Sequence, residues 1–265
     1  NLLVTFTKAS ASASRINEIF EYSASIKDEL NVDETNMKTL VKNKEIITFE
    51  NVSFKYNEEE ALSNLSFSIY NGEIFGIIGT TGSGKSTVAN LIPRFYDATK
   101  GTVLFGGKDV RKLSQSFLHE QIGIVPQKSV LFTGTIADNI RWGKEDATKD
   151  EIVEALKNAQ AYEFVSKMEN GIDSHIYEGG KNFSGGQKQR LTIARALVKK
   201  PSVIILDDSL SALDYETDKN LRKSLVENLK DTTKIIISQR ISSIISADKI
   251  LVLDDGRCVG LGTHE

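Results

Sequence analysis

From Glu45 onward the chain alternates apolar and polar positions with a period of two. Ile47-Phe49, Val52-Phe54-Tyr56 and Leu65-Phe67-Ile69 follow one another, and Asn71-Gly72 is a turn signal. Alternation places one row of side chains on each face of a strand, so this stretch predicts an antiparallel β layer. The pattern then changes to nearly continuous apolar runs: Ile74 to Ile78, Ile122 to Val125, Val203 to Leu206, Lys234 to Ile237 and Ile250 to Leu253, with helical stretches between them. Strands buried on both faces of a largely parallel sheet read this way. Between about 128 and 185 no such run occurs, while Glu151 to Leu156 and Ala161 to Met168 read as helices. A helical insert therefore interrupts an α/β core. Ahead of Glu45, residues 1 to about 28 carry Ile16, Ile19 and Phe20 at helical spacing, and the chain then turns acidic and polar through about residue 44. That is a helix end followed by a linker.

Composition narrows the function classes. A length of 265 residues with 40% apolar content suits a globular core. A formal charge of -3 and a pI of about 5.8 give no basic field to hold a phosphate backbone, which argues against DNA or RNA as a partner. Cys258 is the single cysteine and there are three histidines, so neither an internal disulfide nor a zinc spacing is available; inert strand packing is the expectation for Cys258. No apolar run approaches the roughly 20 residues of a spanning helix. The chain starts at Asn1 inside a helical pattern, without the basic start and cleavage pattern of a signal peptide, and is read as the C-terminal part of a longer polypeptide.

Two elements carry chemistry. Gly79-Thr80-Thr81-Gly82-Ser83-Gly84-Lys85-Ser86-Thr87 follows the apolar run 74–78 and opens a helical stretch from Val88 to Ile92. Strand, glycine-rich loop and helix in that order are the context of a phosphate loop. Glycines let the backbone fold so closely that successive N–H groups point at phosphate oxygens, and the helix N-terminus favours an anion. Lys85 supplies a point charge for the β- and γ-phosphates, and the Ser86 hydroxyl is a hard oxygen for Mg²⁺. The second element, Val203 to Leu206 followed by Asp207-Asp208, puts carboxylates at the end of a buried strand, where parallel-sheet proteins bind ligands. Asp207 is the candidate metal-organising carboxylate. The competing reading is a carboxylate capping a helix that begins near Ser209.

Ser184-Gly185-Gly186-Gln187, followed by Lys188-Gln189-Arg190, resembles the signature motif of ATP-binding cassette (ABC) ATPases, and further motifs of that family appear in order. Tyr56 fits the aromatic that stacks on adenine. Gln127 fits the glutamine at the junction of core and helical insert, counted with Ser86 and Asp207 among the metal's ligands. Ser211-Ala212-Leu213-Asp214 fits the D-loop, with Asp214 counted in the nucleotide site. The resemblance implies an α/β fold: a RecA-like P-loop NTPase core with an antiparallel β subdomain and an inserted α-helical subdomain. It implies ATP and Mg²⁺ as cofactors, and two such domains sandwiching ATP, each nucleotide lying between one chain's P-loop and the other's signature. Ala11 to Phe20 resembles the cytoplasmic end of an exporter's last transmembrane helix. Residues 1–28 are then that helix end and its extension, 29–44 a linker, and 45–265 the nucleotide-binding domain with its helical subdomain at about 128–185. The stretch Glu178 to Asn182 resembles the exporter segment that touches coupling loops. Val130, Leu131 and Phe132 are expected in a groove that receives a loop of the transmembrane domains. The location implied is the cytoplasmic face of the cell membrane.

Two positions depart from the family's pattern. Active members carry Glu after the strand-end Asp to polarise the attacking water; here the residue is Asp208, one C–C bond, roughly 1.5 Å, shorter. The family's switch histidine is replaced by Gln239, which can hydrogen-bond a phosphate oxygen but carries neither proton nor charge. Both changes fall in one site, with Asp208 and Gln239 as its catalytic positions, while the signature that serves a second site is intact. The expectation is the slow half of a heterodimeric exporter ATPase. The alternatives are an ordinary homodimeric exporter domain and a soluble, regulatory ABC ATPase. A DNA-repair member is disfavoured because no coiled-coil heptads lie between Gln127 and Ser184.

Overall fold

A computed structural model describes residues 2–21, 26–28 and 37–264. The two short strands expected after Glu45 are one strand, Glu45–Tyr56. Phe49 and Val52 are both buried although they are three residues apart, because the pairing slips between them where Asn51 takes a left-handed φ of 51°. Such a bulge inserts an unpaired residue and returns the next apolar side chain to the inner face. The strand pairs antiparallel with Glu59–Tyr70 on one edge and Lys100–Phe105 on the other, and Lys108–Asp109 completes a four-stranded sheet.

The continuous apolar runs form the second sheet. Its order is Arg257–Gly262, Lys249–Asp254, Ile74–Gly79, Thr233–Ser238, Val203–Asp207 and Ile122–Val125; all neighbours are parallel except the first pair. Alternate residues of one strand enter different cores. Val203 and Ile205 join the cluster that contains Phe49, Phe67 and Phe105 of the antiparallel layer. Ile204 and Leu206 join the cluster built with the helices. A period of two with both faces buried explains why these strands show no polar alternation.

The insert holds the helices Ile136–Arg141, Lys149–Asn158 and Tyr162–Ser166, and also a short antiparallel ribbon, Gly134–Thr135 with His175–Ile176, that periodicity did not predict. Thr135 and Thr148 start the first two helices with reciprocal capping boxes to Asp138 and Glu151. Ile140, Ile152 and Leu156 pack with Leu191 and Ala194 of the helix Gly185–Leu197, which carries the insert on the sheet.

The N-terminal helix Leu2–Glu21 buries no residue, and among the described residues no helix is long and apolar enough to cross a membrane. Part of the expected linker, residues 29–36, lies outside the described residues. Asp28 docks on the core by accepting the Gln115 backbone N–H at 3.0 Å, 3.8 Å from the buried Arg94 guanidinium. Cys258 corrects an expectation: it lies on the edge strand Arg257–Gly262 and is exposed, because this strand ends the sheet and is mostly uncovered among the described residues.

Candidate functional site

Parallel strands deliver their C-terminal ends to one edge of the sheet. Ile74–Gly79 ends in the glycine-rich loop, its neighbour Thr233–Ser238 ends one residue before Gln239, and the next strand, Val203–Asp207, ends at the paired carboxylates. Ile122–Val125, two residues before Gln127, is the outermost of this row. Residues far apart in sequence thus meet along one line, the place where open parallel sheets hold ligands.

The loop is shaped by close approach. Gly84 sits at a φ of 95° just before the helix Lys85–Leu91, and a Cβ there would lie 2.6 Å from Leu62 Cδ2 and 2.8 Å from the Ala61 carbonyl. A Cβ on Gly79 would lie 2.3 Å from the Leu253 carbonyl and 2.4 Å from Ser83 Oγ. The backbone therefore packs where no side chain fits, while Thr80, Thr81 and Gly82 stay exposed at the tip. Lys85 is buried and its Nζ donates to the carbonyls of Gly79 at 2.8 Å and Thr80 at 2.6 Å. Burial pushes its pKa down, and the carboxylates of Asp207 and Asp208 pull it back up. The helix here starts at Lys85, earlier than the Val88 expected, so Lys85, Ser86 and Thr87 occupy its first turn, where backbone N–H groups have no intrahelical acceptor.

The strand Val203–Asp207 packs beside that helix and ends at Asp207. Burial pushes its carboxyl pKa up; the nearby Ser86 hydroxyl lowers it, Asp208 raises it, and Lys85 lowers it. The pair Ser86 and Asp207 offers hard oxygens side by side, as Mg²⁺ requires. Among the described residues no group of three or more His, Cys, Asp or Glu could hold a metal alone. The residues therefore suit a cation completed by phosphate oxygens and water rather than an all-protein cage. Asp208 takes a left-handed φ of 45°, and its carboxylate accepts the Gln127 amide at 3.1 Å. No helix begins at Ser209, which excludes the capping alternative: the next helix is Tyr215–Asn228, capped by Asp214. Gln239 is exposed just past its strand.

Tyr56 ends the first strand opposite Glu59, two residues from Ala61, whose carbonyl rests against Gly84. Tyr56 is 38% exposed, and its ring stands perpendicular to Phe54 at 4.7 Å and to Tyr96 at 5.3 Å. Sequence reasoning missed Tyr96. The one available signal was an aromatic pair, Phe95-Tyr96, after the loop's helix.

A second group assembles around the helix Gly185–Leu197. Ser184 is its N-cap, and Ser184 Oγ accepts the Gln187 N–H at 3.2 Å while Gln187 Oε1 accepts the Ser184 N–H at 2.9 Å. The helix was expected from Gln187; it starts two residues earlier, because the glycines satisfy the first turn of this capping box. The side-chain hydrogen bonds of Ser184 and Gln187 are with each other's backbone rather than with the loop 79–87. Ser184 and Gly185 are exposed. Gly186 abuts the loop 211–214, where Asp214 accepts the Thr217 N–H at 2.9 Å and its hydroxyl at 2.7 Å, which holds the Asp214 carboxyl below its ordinary value. The chain thus presents two separate surfaces of a chemistry that suits an anion, a glycine-rich loop with an exposed tip and an outward-facing helix N-terminus.

The sequence profile of the ABC transporter family matches residues 62–211. The uncharacterized ABC transporter ATP-binding protein YfiB of Bacillus subtilis (strain 168) is 43% identical over 265 residues, covering 99% of this chain and 45% of that protein. The putative multidrug export ATP-binding/permease protein YgaD of the same organism is 42% identical over 221 residues, 83% of this chain and 38% of that protein. A solved structure of a bacterial Atm1-family ABC exporter with ATP bound superimposes with a TM-score of 0.89 at 36% identity, over 98% of this chain and 45% of that one. The chain spans less than half the length of each of these proteins.

Proposed function

Because the chain belongs to the ABC transporter family, we propose that it is the ATP-binding and ATP-hydrolysing part of an exporter, with a slow nucleotide site of its own and a signature motif that serves a partner's site. The observation that carries the nucleotide reading is the loop geometry at the sheet edge: Gly84 at a φ of 95° packs where no Cβ fits, Lys85 Nζ is held on the Gly79 and Thr80 carbonyls at the first turn of the helix, and Asp207 ends a strand of the same sheet. In this reading the loop N–H groups and Lys85 take the phosphates and Tyr56 takes the adenine face. Ser86, Asp207 and the Gln127 amide oxygen would hold Mg²⁺, which would supply charge neutralisation for the phosphates. Calorimetric titration of the chain with MgATP tests it. Saturable binding that Lys85→Ala weakens at least tenfold is expected; no binding by folded wild-type chain would sink the reading.

Two observations support the slow site. The Asp208 carboxylate is short and already holds the Gln127 amide, and Gln239 brings no charge to the neighbouring strand end. A misplacement of about 1 Å costs roughly a hundredfold in rate, so ground-state binding survives while transition-state support falls. The exposed N-terminus at Ser184 supports the partner reading, since an outward-facing helix start is accessible to an anion held by another chain.

The coupling to transmembrane domains is proposed at a cavity of about 230 Å³ bordered by Val130, Trp142 and Arg195. One expected member is corrected: Leu131 is 2% exposed and belongs to the helical core, because it packs with Ile136 and Phe183. Val130 and Phe132 remain exposed, and Phe132 stacks on Trp142 at 4.8 Å with the Arg195 guanidinium over its ring. In this account residues 1–28 are the end of a transmembrane helix and its extension, 29–44 a linker and 45–265 the nucleotide-binding domain, placed on the cytoplasmic face of the membrane.

A further inference from the structure

We propose that Tyr96 is a positioning residue for the nucleobase: together with Phe54 it fixes the ring of Tyr56 before the nucleotide arrives. The inference rests on the reading of Tyr56 as the adenine platform. Tyr56 closes the strand Glu45–Tyr56 at a hairpin end, where a large side chain has few backbone neighbours to hold it. Phe54, 5% exposed, lies on the same strand face and stands at 87° to the Tyr56 ring, 4.7 Å away. Tyr96 comes from a different element, the turn after the phosphate-loop helix Lys85–Leu91, and also stands at 87° to Tyr56, at 5.3 Å. Phe54 and Tyr96 are themselves 5.4 Å apart and tilted by 53°.

The consequence is mechanical. Two non-parallel rings meet Tyr56, so a rotation of its χ1 or χ2 separates it from at least one of them. Edge-to-face pairs at these distances hold beyond simple burial. A platform already ordered loses less side-chain freedom when a base stacks on it, which tightens binding without any new contact to the ligand. Tyr96 also ties the platform to the element that carries Lys85 and Ser86, so the distance between the base and phosphate subsites is set within one packed unit.

The test separates the base from the phosphates. MgATP and inorganic tripolyphosphate with Mg²⁺ are titrated calorimetrically into the wild-type chain and into Tyr96→Ala, Tyr96→Phe and Tyr56→Ala. Expected is a two- to tenfold loss of MgATP affinity in Tyr96→Ala, unchanged tripolyphosphate affinity, and recovery in Tyr96→Phe, which keeps the ring. Equal losses for both ligands would mean a general distortion of the loop and would overturn the proposal. Loss of MgATP affinity in Tyr56→Ala but not in Tyr96→Ala would overturn it while leaving the platform reading intact. No loss in either alanine variant would remove the platform reading and the proposal together.

Discussion

Gly84→Ala is the substitution whose cost the structure specifies most fully. The new methyl would meet Leu62 Cδ2 at 2.6 Å and the Ala61 carbonyl at 2.8 Å, on a backbone whose φ is 95°. Leu62 is fully buried and Ala61 contributes backbone, so neither neighbour can swing away. A left-handed conformation costs an L-residue about 1–2 kcal/mol, and overpacking in a close-packed site adds about 1–3 kcal/mol. The total of about 2–5 kcal/mol falls within the usual stability of a domain, so the chain stays folded and relieves the strain by reshaping the loop. If the native loop is then the minor state, MgATP affinity falls by the same factor, from about thirtyfold to several thousandfold. Gly82→Ala is the control, because Gly82 has a φ of 84° but nothing within 4 Å of a Cβ. It carries only the conformational cost, roughly five- to thirtyfold if the loop bears all of it. Calorimetric MgATP titration of both variants, with thermal melting to confirm folding, reads the difference. Equal losses in the two variants would refute the argument that close backbone approach, rather than φ alone, requires glycine at 84.

Asp207→Asn should lower MgATP affinity by at least about ten- to a hundredfold, since losing a metal ligand costs no less than losing a partner that orients one, measured by titration at fixed Mg²⁺. The same substitution tests a pH dependence. Burial holds the folded Asp207 pKa above the ordinary carboxyl value of 3.8, so the folded state binds this proton more tightly than the unfolded one. The contribution of this group therefore favours folding at low pH and is lost as pH rises from about 3.8 through the raised folded value. Asp207→Asn should flatten that segment of the nucleotide-free stability profile, read by urea unfolding across pH. Ser184→Ala removes an N-cap worth about 0.5–2 kcal/mol and should lower Tm by a few degrees in the chain alone.

The strands of the parallel sheet were legible because both of their faces are buried, so Val203 to Leu206 and Lys234 to Ile237 could only be interior. The glycine-rich loop was legible because its spacing encodes a backbone shape, and the helix starts were displaced by only two or three residues. What escaped was tertiary. The hydrogen bond from Gln127 to Asp208 joins two strand ends that meet only in the folded sheet. Tyr96 reaches Tyr56 through a turn whose direction no local pattern specifies. Leu131 sits between two exposed residues, and only the packing of the insert shows which way it points. Cys258 was misjudged because a strand's period says which residues share a face but not whether that face is covered.

The central claim is the division of labour between this chain's site and its signature. The direct measurement is steady-state ATP hydrolysis by the exporter assembled from this chain and a partner half that carries Glu and His at the two divergent positions. Wild type is compared with Ser184→Ala and with Asp208→Ala, both in this chain. Ser184→Ala is expected to abolish turnover, because it damages the partner's site in trans, whereas Asp208→Ala should leave most of it, because it touches only the slow site. Asp208→Ala silencing the complex as completely as Ser184→Ala would contradict the account and make this chain's own site a working catalyst.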